Sequence, residues 1–468
     1  MTVKAILWFF IPLFAISFST NAQVSQDSLP TGHLPDAAEE YWPESKDTIG
    51  KQDFLQRIKH NPIRDGKGFI SVGGTLREGY ENYKNYLWGL GTQDNNGYSL
   101  HRLLLHADVR WNHSIRFFSE IENSLVIGRN GGPRPVVDEN KLAVNQAFAE
   151  FAFDAFNNSH LKLRLGKQEL TYGIGSLLDL RDVNVRFSLA GGKLIFEHGN
   201  TKIDAFLMEA IQNNPSYFDD RLNKSQKIGG GAWMTQTRAN KFFNKIDAFY
   251  IFIDRDAAQF NQGTGHEYRS TVGADAWFQT GNLGGYSEGS FQFGHFSNGP
   301  ILAWKIVQSI SYKFQDIKFK PVFSLNCAIS SGDQSLDDNK LQTFNPIYPR
   351  GVYYGYMDNV GSSNMIVVHE KLEIPFNTRL ALALGYYKFW RESISDGVYL
   401  ANGLLLFPSS NSARHVSDMY DLKLSYTPVT NMSISLFAAY DKRGQYLLQQ
   451  PNTLGDSRYL AARVEFAF

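Results

Sequence analysis

Where polar and apolar residues alternate along this 468-residue chain, one set of positions carries Arg102, Arg110, Lys162, Arg164, Lys202, Lys245, Arg269, Lys371, Lys423 and Arg463. The same set carries Glu150, Asp204, Asp247, Asp275, Glu373 and Asp421. Charges gathered on one face of strands either line a hydrated wall that steers ions or pair across neighbouring strands. Reaction chemistry is harder to find. Ser and His are scattered without a local signature such as G-x-S-x-G. The Gly-Ile-Gly at 173–175 is followed by no Walker lysine and no helix, which argues against phosphate binding. His101, His106, His113 and His369 form no His-x-x-x-His set, and the single Cys327 excludes a disulfide framework or a multi-cysteine metal site. No catalytic residue, metal or cofactor is expected. A reaction centre assembled only in space stays open as an alternative.

These charges sit on elements of period two. In 101–111, His101, Leu103, Leu105, Ala107, Val109 and Trp111 share one face, while Arg102, Leu104, His106, Asp108 and Arg110 share the other. The alternation recurs at 147–154, 161–166, 245–252, 271–278 and 421–426, often over ten residues or more. Runs of that length suit a tilted membrane strand better than the shorter strands of a soluble sandwich. Short breaks, such as 112–113, 157–158, 199–200 and 428–431, alternate with long polar stretches at 81–97, 129–142, 171–189, 212–226, 255–266, 331–363, 392–413 and 442–455. The expectation is an all-β fold, a transmembrane antiparallel β-barrel of about 18 strands with short periplasmic turns and long extracellular loops. The last strand carries Leu460, Ala462, Val464, Phe466 and terminal Phe468 on its apolar face, resembling the signal read by the barrel insertion machinery.

Composition agrees. Lys+Arg and Asp+Glu are both 46, giving a net charge of +0, unlike a basic nucleic-acid binder. Mean hydropathy is −0.30 although aromatic residues make up 14% of the chain. A wall that faces lipid on one side and water on the other produces that mixture. Residues 1–22 read as a signal peptide, with Lys4 before an apolar run from Ala5 to Ile16 and cleavage before Gln23. Residues 23–65, with Pro30, Pro35, Pro43 and Pro62, read as a largely irregular, solvated periplasmic segment, and 66–468 as the barrel. The mature chain is expected in the bacterial outer membrane as a monomeric barrel, in contact with lipid.

Two long loops, 165–192 and 330–372, are rich in Gly, Asn and aromatics and long enough to fold inward. Their elements LGKQEL, LLDLRDVNVRFS, SGDQSLDD, TFNPIYPRG and NMIVVHEKL, in that order, resemble the alginate export family of outer-membrane porins. The resemblance implies an 18-stranded channel with an electropositive constriction for an anionic uronate polysaccharide, served by periplasmic export partners. It points to the loop bases Lys167, Arg181, Arg186 and Arg350, and to His369. With the wall bases Arg102, Arg110, Arg164 and Arg269 these form the candidate substrate-binding set, since a guanidinium fork matches a carboxylate. Two alternatives remain: a porin for other substrates whose bases hold loops in place, and a barrel-borne envelope hydrolase.

Overall fold

A strand can cross lipid only if every main-chain N–H and C=O finds a partner, and a sheet achieves this by closing on itself. The structure, a computed structural model, describes residues 33–40, 58–63, 67–94, 96–112, 114–155, 159–235, 242–350 and 354–468. Its strands are β1 (Gly68–Lys84), β2 (Tyr98–Trp111), β3 (Ile115–Ile127), β4 (Asn140–Ala155), β5 (Ser159–Gln168) and β6 (Leu189–His198). Next come β7 (Thr201–Gln212), β8 (Arg221–Thr235), β9 (Lys245–Phe260), β10 (Gly263–Thr280), β11 (Leu283–Phe296) and β12 (Gly299–Lys313). The series ends with β13 (Val322–Ser330), β14 (Met365–Pro375), β15 (Leu380–Arg391), β16 (His415–Val429), β17 (Met432–Arg443) and β18 (Ser457–Ala467). Each strand pairs antiparallel with its chain neighbours, and β18 returns to β1 from Thr75↔Ala467 to Lys84↔Arg458, closing an 18-stranded barrel. A short strand, Asn61–Ile63, adds to the start of β1.

The faces separate as the alternation requires. Phe117, Leu165, Leu207, Leu302, Ile306 and Leu460 point outward and are exposed, forming the apolar band. Their strand neighbours Arg116, Arg164, Phe206, Ala303, Lys305 and Tyr459 are buried inside. At one end the connections are mostly tight, as between β2 and β3 or β6 and β7; at the other lie the long loops. Two expectations need correction, one at each end. The polar stretch 255–266 is not a loop: β9 and β10 run through it, with a register shift between Arg255 and Ala258, and are joined by Asn261 and Gln262 alone. The strand expected from residue 317 starts at Val322, because Phe319 and Lys320 adopt positive φ (68° and 47°) in a turn closed by Lys320 N–H to the Ile317 carbonyl at 2.9 Å.

The long loops fill the lumen. Segment 169–188 buries Leu170, Leu177, Leu178 and Val185; segment 331–364 buries Leu341, Phe344, Ile347 and Met357; and 392–414 buries Val398, Tyr399 and Phe407. Residues 1–22 lie outside the described residues, as does most of 23–65. Solvation does not describe residues 33–40. They form a single 3-10 turn, Ala37–Glu39, with Ala38 buried against Phe118 and Phe148 inside the barrel.

One close approach is demanding. Gly230 has φ +146°, and a Cβ there would lie 2.1 Å from the Tyr250 carbonyl oxygen of β9. Gly230→Val is expected to cost about 1–3 kcal/mol and to lower the midpoint of the heat-induced gel-mobility shift of the refolded barrel. An unchanged midpoint would contradict so tight a β8–β9 contact.

Candidate functional site

The inward bases fall into four groups, and register fixes which strands supply each. In the first, Arg77 of β1 and Arg102 of β2 are cross-strand partners, and Arg77 also faces Glu465 of β18. Asp182, from loop 169–188, enters between them. It accepts from Arg77 Nη2 at 2.9 and 3.0 Å, Arg102 Nη1 at 2.7 Å and Arg186 Nη1 at 3.3 Å. Burial alone would raise this carboxyl; Arg77, Arg102 and Arg186 instead hold it well below the usual carboxylate range. Arg77 Nε also reaches Glu465 at 2.6 Å, and Arg186 grips the buried Glu169 through two bonds of 2.8 and 2.6 Å. A cavity of about 180 Å³ opens beside this cluster.

The second group is a row across five strands. Arg110 of β2, Arg116 of β3, Glu150 of β4, Arg164 of β5 and Lys193 of β6 are consecutive register partners. Arg116 pairs with Asp108 (2.7 Å), Arg110 with Asp108 (2.9 Å), Arg164 with Glu150 (2.7 Å) and Lys193 with Asp204 (2.8 Å). Arg164 also lies over the Phe148 ring, 4.4 Å from its centroid.

The third group anchors loops. Arg269, fully buried, donates to Glu267 (2.6 Å), Gln292 (2.7 Å) and the Thr343 carbonyl (3.0 Å), fixing segment 331–364. Arg350 reaches Asp179 at 2.7 Å and so ties the two long loops together, while Lys167 meets Asp220 at 3.1 Å. Arg181 does not meet its neighbour Asp182: with φ +44° it turns away, donates to the Val136 carbonyl at 2.7 Å and covers the Phe187 ring. Burial draws its guanidinium down to about 10, still charged near neutrality. His369 stands near the start of β14, as expected, and stacks on Tyr387 with centroids 3.8 Å apart.

The fourth group differs. On β14, β16 and β18, Lys371, Lys423 and Arg463 are half-buried. Lys371 pairs with Glu373 at 2.8 Å. Lys423 and Arg463 have no carboxylate at ion-pair distance among the described residues, and both lie over the Phe437 ring, 5.4 and 5.3 Å from its centroid. Lys423 faces Ala383 and Phe437, and Arg463 faces Ser435 and Gly79.

Of the bases expected to line the constriction, Arg102, Arg110, Arg164, Arg186, Arg269, Arg350 and Lys167 are each paired with an acid. Arg77, Arg116 and Lys193 were missed, although the same alternation carried onto β1, β3 and β6 identifies all three. Lys423 and Arg463 were on the inward face but not singled out.

A closed barrel with a charged, loop-narrowed lumen has solved counterparts. OccAB1 of Acinetobacter baumannii superposes with a TM-score of 0.57 at 12% identity, covering 88% of this chain and 99% of that one. Pseudomonas aeruginosa OpdK, solved with vanillate, gives 0.57 at 11% identity, covering 85% and 98%. P. aeruginosa OccK11 gives 0.54 at 11%, covering 88% and 98%. At such identities the likeness is one of fold. No protein of curated function matches the sequence. Fold and lumen together define an outer-membrane channel of the porin-like β-barrel class. Within it, a family model described as alginate export matches residues 69–459, and the chain belongs to that family.

The pairing pattern predicts unequal costs. Arg186→Ala strands the fully buried Glu169 without its cation and is expected to destabilise the barrel by about 3–5 kcal/mol. Arg181→Ala, whose loss strands no acid, is expected to cost about 1 kcal/mol or less. Urea unfolding in detergent distinguishes them; equal midpoints would contradict the assignment of Arg186 as a loop anchor.

Proposed function

We propose that the protein is a passive channel for an anionic, uronate-type polysaccharide or its oligosaccharides. The observation that carries this reading is the fourth group of bases. Lys423 and Arg463 have no acid at ion-pair distance among the described residues and stand beside the Phe437 ring. A uronate offers a carboxylate that these cations can hold. The two bases stand on β16 and β18, with β17 between them, so a passing polymer can exchange one cation for the next without leaving the wall. Related chemistry is recorded for OpdK, whose structure holds vanillate, itself a carboxylate. The neutralisation of Arg102, Arg164, Arg186 and Arg269 favours a second reading, a porin for other substrates, in which those bases serve the fold.

The reading includes export through the segment 1–22, cleavage before Gln23, and handling of the terminal Phe468 strand by the barrel insertion machinery. Periplasmic partners would feed the pore, and a single barrel would suffice. Transport, not catalysis, is the activity proposed.

Planar-bilayer recording of the refolded chain tests it. Alginate oligomers are expected to block the current, and Lys423→Ala or Arg463→Ala to weaken the block about tenfold, since a charge-assisted hydrogen bond is worth about 1.5–3 kcal/mol. Arg350→Ala, which removes a loop tie, should change the block far less. Equal block by a neutral glucan of the same length would sink the uronate reading and favour the second one.

A further inference from the structure

The row Arg110–Arg116–Glu150–Arg164–Lys193 has an occupant of its own. Segment 33–40 reads HLPDAAEE, and its turn lies directly on this row. Arg116 Nη2 donates to the Ala38 carbonyl at 2.7 Å, Arg110 Nη2 to the Glu40 carbonyl at 3.1 Å, and Arg164 Nη1 to the Glu39 carboxylate at 3.1 Å. Just before the turn, Asp36 accepts from Gln146 at 3.0 Å, and Arg186 donates to the Pro35 carbonyl at 2.6 Å. An acidic peptide therefore fills an arginine-lined seat at the short-turn end of the lumen.

The way it is held points to exchange. Its apolar contact is small: Ala38 lies between Phe118 and Phe148, with Ala37 against the same cluster. The contacts described above are hydrogen bonds and ion pairs, and the Glu39 side chain is still 46% exposed although Glu40 is buried. Within the segment, Asp36 Oδ1 accepts from Ala38 N–H at 2.9 Å and Glu40 Oε1 from Leu34 N–H at 3.0 Å. Another chain of carboxylates can compete for the same donors against the tethered segment's high effective concentration, and mass action decides which one occupies them.

We propose that the Arg110–Arg116–Arg164–Lys193 row is a second anion-binding site, occupied at rest by the chain's own Asp36–Glu40 segment and vacated when a polycarboxylate displaces it. The segment imitates the cargo: its carboxylate spends the charge of Arg164 and its carbonyls spend that of Arg110 and Arg116. With the segment seated, part of the periplasmic mouth is filled; with it displaced, the donors that Arg110, Arg116 and Arg164 direct at it are released, a few strands around the wall from Lys423 and Arg463. The inference rests on the proposed function only for the identity of the displacing ligand.

The test reports on the segment directly. In a full-length Cys327→Ser background, Ala38→Cys places a thiol where the side chain is almost wholly buried. Its labelling by a charged maleimide is expected to be slow, and to accelerate about tenfold or more when alginate oligomers or polyacrylate of similar length are added, a change equivalent to about 1.4 kcal/mol in the seating equilibrium. Maltooligosaccharides should have no effect. Asp36→Asn with Glu39→Gln should raise both the resting labelling rate and the resting conductance. Acceleration by polyacrylate but not by alginate supports the displaceable segment and overturns the uronate function. Block of the current by alginate with no change in labelling under either polymer overturns the displaceable segment and leaves the function standing. If Ala38→Cys fails to fold, the conductance of Asp36→Asn/Glu39→Gln decides: a rise supports the proposal, and an unchanged value overturns it.

Discussion

The seam between β1 and β18 sets the terms for the rest of the molecule. Once Thr75–Lys84 pairs with Arg458–Ala467, no strand edge is left, and every second side chain is committed to lipid or to the lumen. Eighteen strands enclose more volume than their own inward side chains fill. That volume must hold either water or chain, and here it holds both: three long loops and the turn at 37–39 occupy much of it.

Filling a charged tube with loops creates an electrostatic problem. A loop that covers an inward arginine removes its water, so the loop must bring an acceptor with it. Asp182 does so for Arg77 and Arg102, and the Thr343 carbonyl for Arg269. Around Lys423 and Arg463, where Tyr356 packs on Phe437, the two bases stay half-buried and none of the described acids comes to ion-pair distance. Burial and neutralisation go together at the loop anchors, while the fully buried Arg391 donates to main-chain carbonyls. The balance of 46 bases and 46 acids reflects this pairing and says little about the path a solute takes.

Sequence periodicity was enough to read the barrel, because a period of two is a local property and each strand writes it separately. It also placed Arg102, Arg164 and Arg269 on the inner face. What it could not supply was their partners. Arg102 and Asp182 are 80 residues apart, and Arg269 meets a carbonyl of Thr343, which has no signature in the sequence. Adjacency in sequence is no guide either: a left-handed backbone at Arg181 sends the Arg181 and Asp182 side chains to different places. The polar stretch 255–266 read as a loop because charged strands that extend beyond the membrane look like loops. Arg255 and Glu267 are in fact register partners joined by an ion pair.

The motifs that carry the family resemblance map onto the loop anchors. LGKQEL holds Glu169, the partner of Arg186; LLDLRDVNVRFS holds Asp179, Asp182 and Arg186 itself; TFNPIYPRG holds Thr343, Asn345 and Arg350. Asn345 shows how dense these contacts are: its N–H donates to Gln292 Oε1 at 2.9 Å, its amide to Glu267 Oε1 at 3.2 Å, and its own Oδ1 accepts from the Ile347 N–H at 3.0 Å. A loop packed inside a barrel has many main-chain groups to satisfy and few sequences that satisfy them, so its residues are tightly specified by the fold. Lys423 and Arg463, on strands outside these motifs, are under no such constraint. Two channels could therefore share the loop scaffold and differ in cargo by changing only the few inward positions that remain in water.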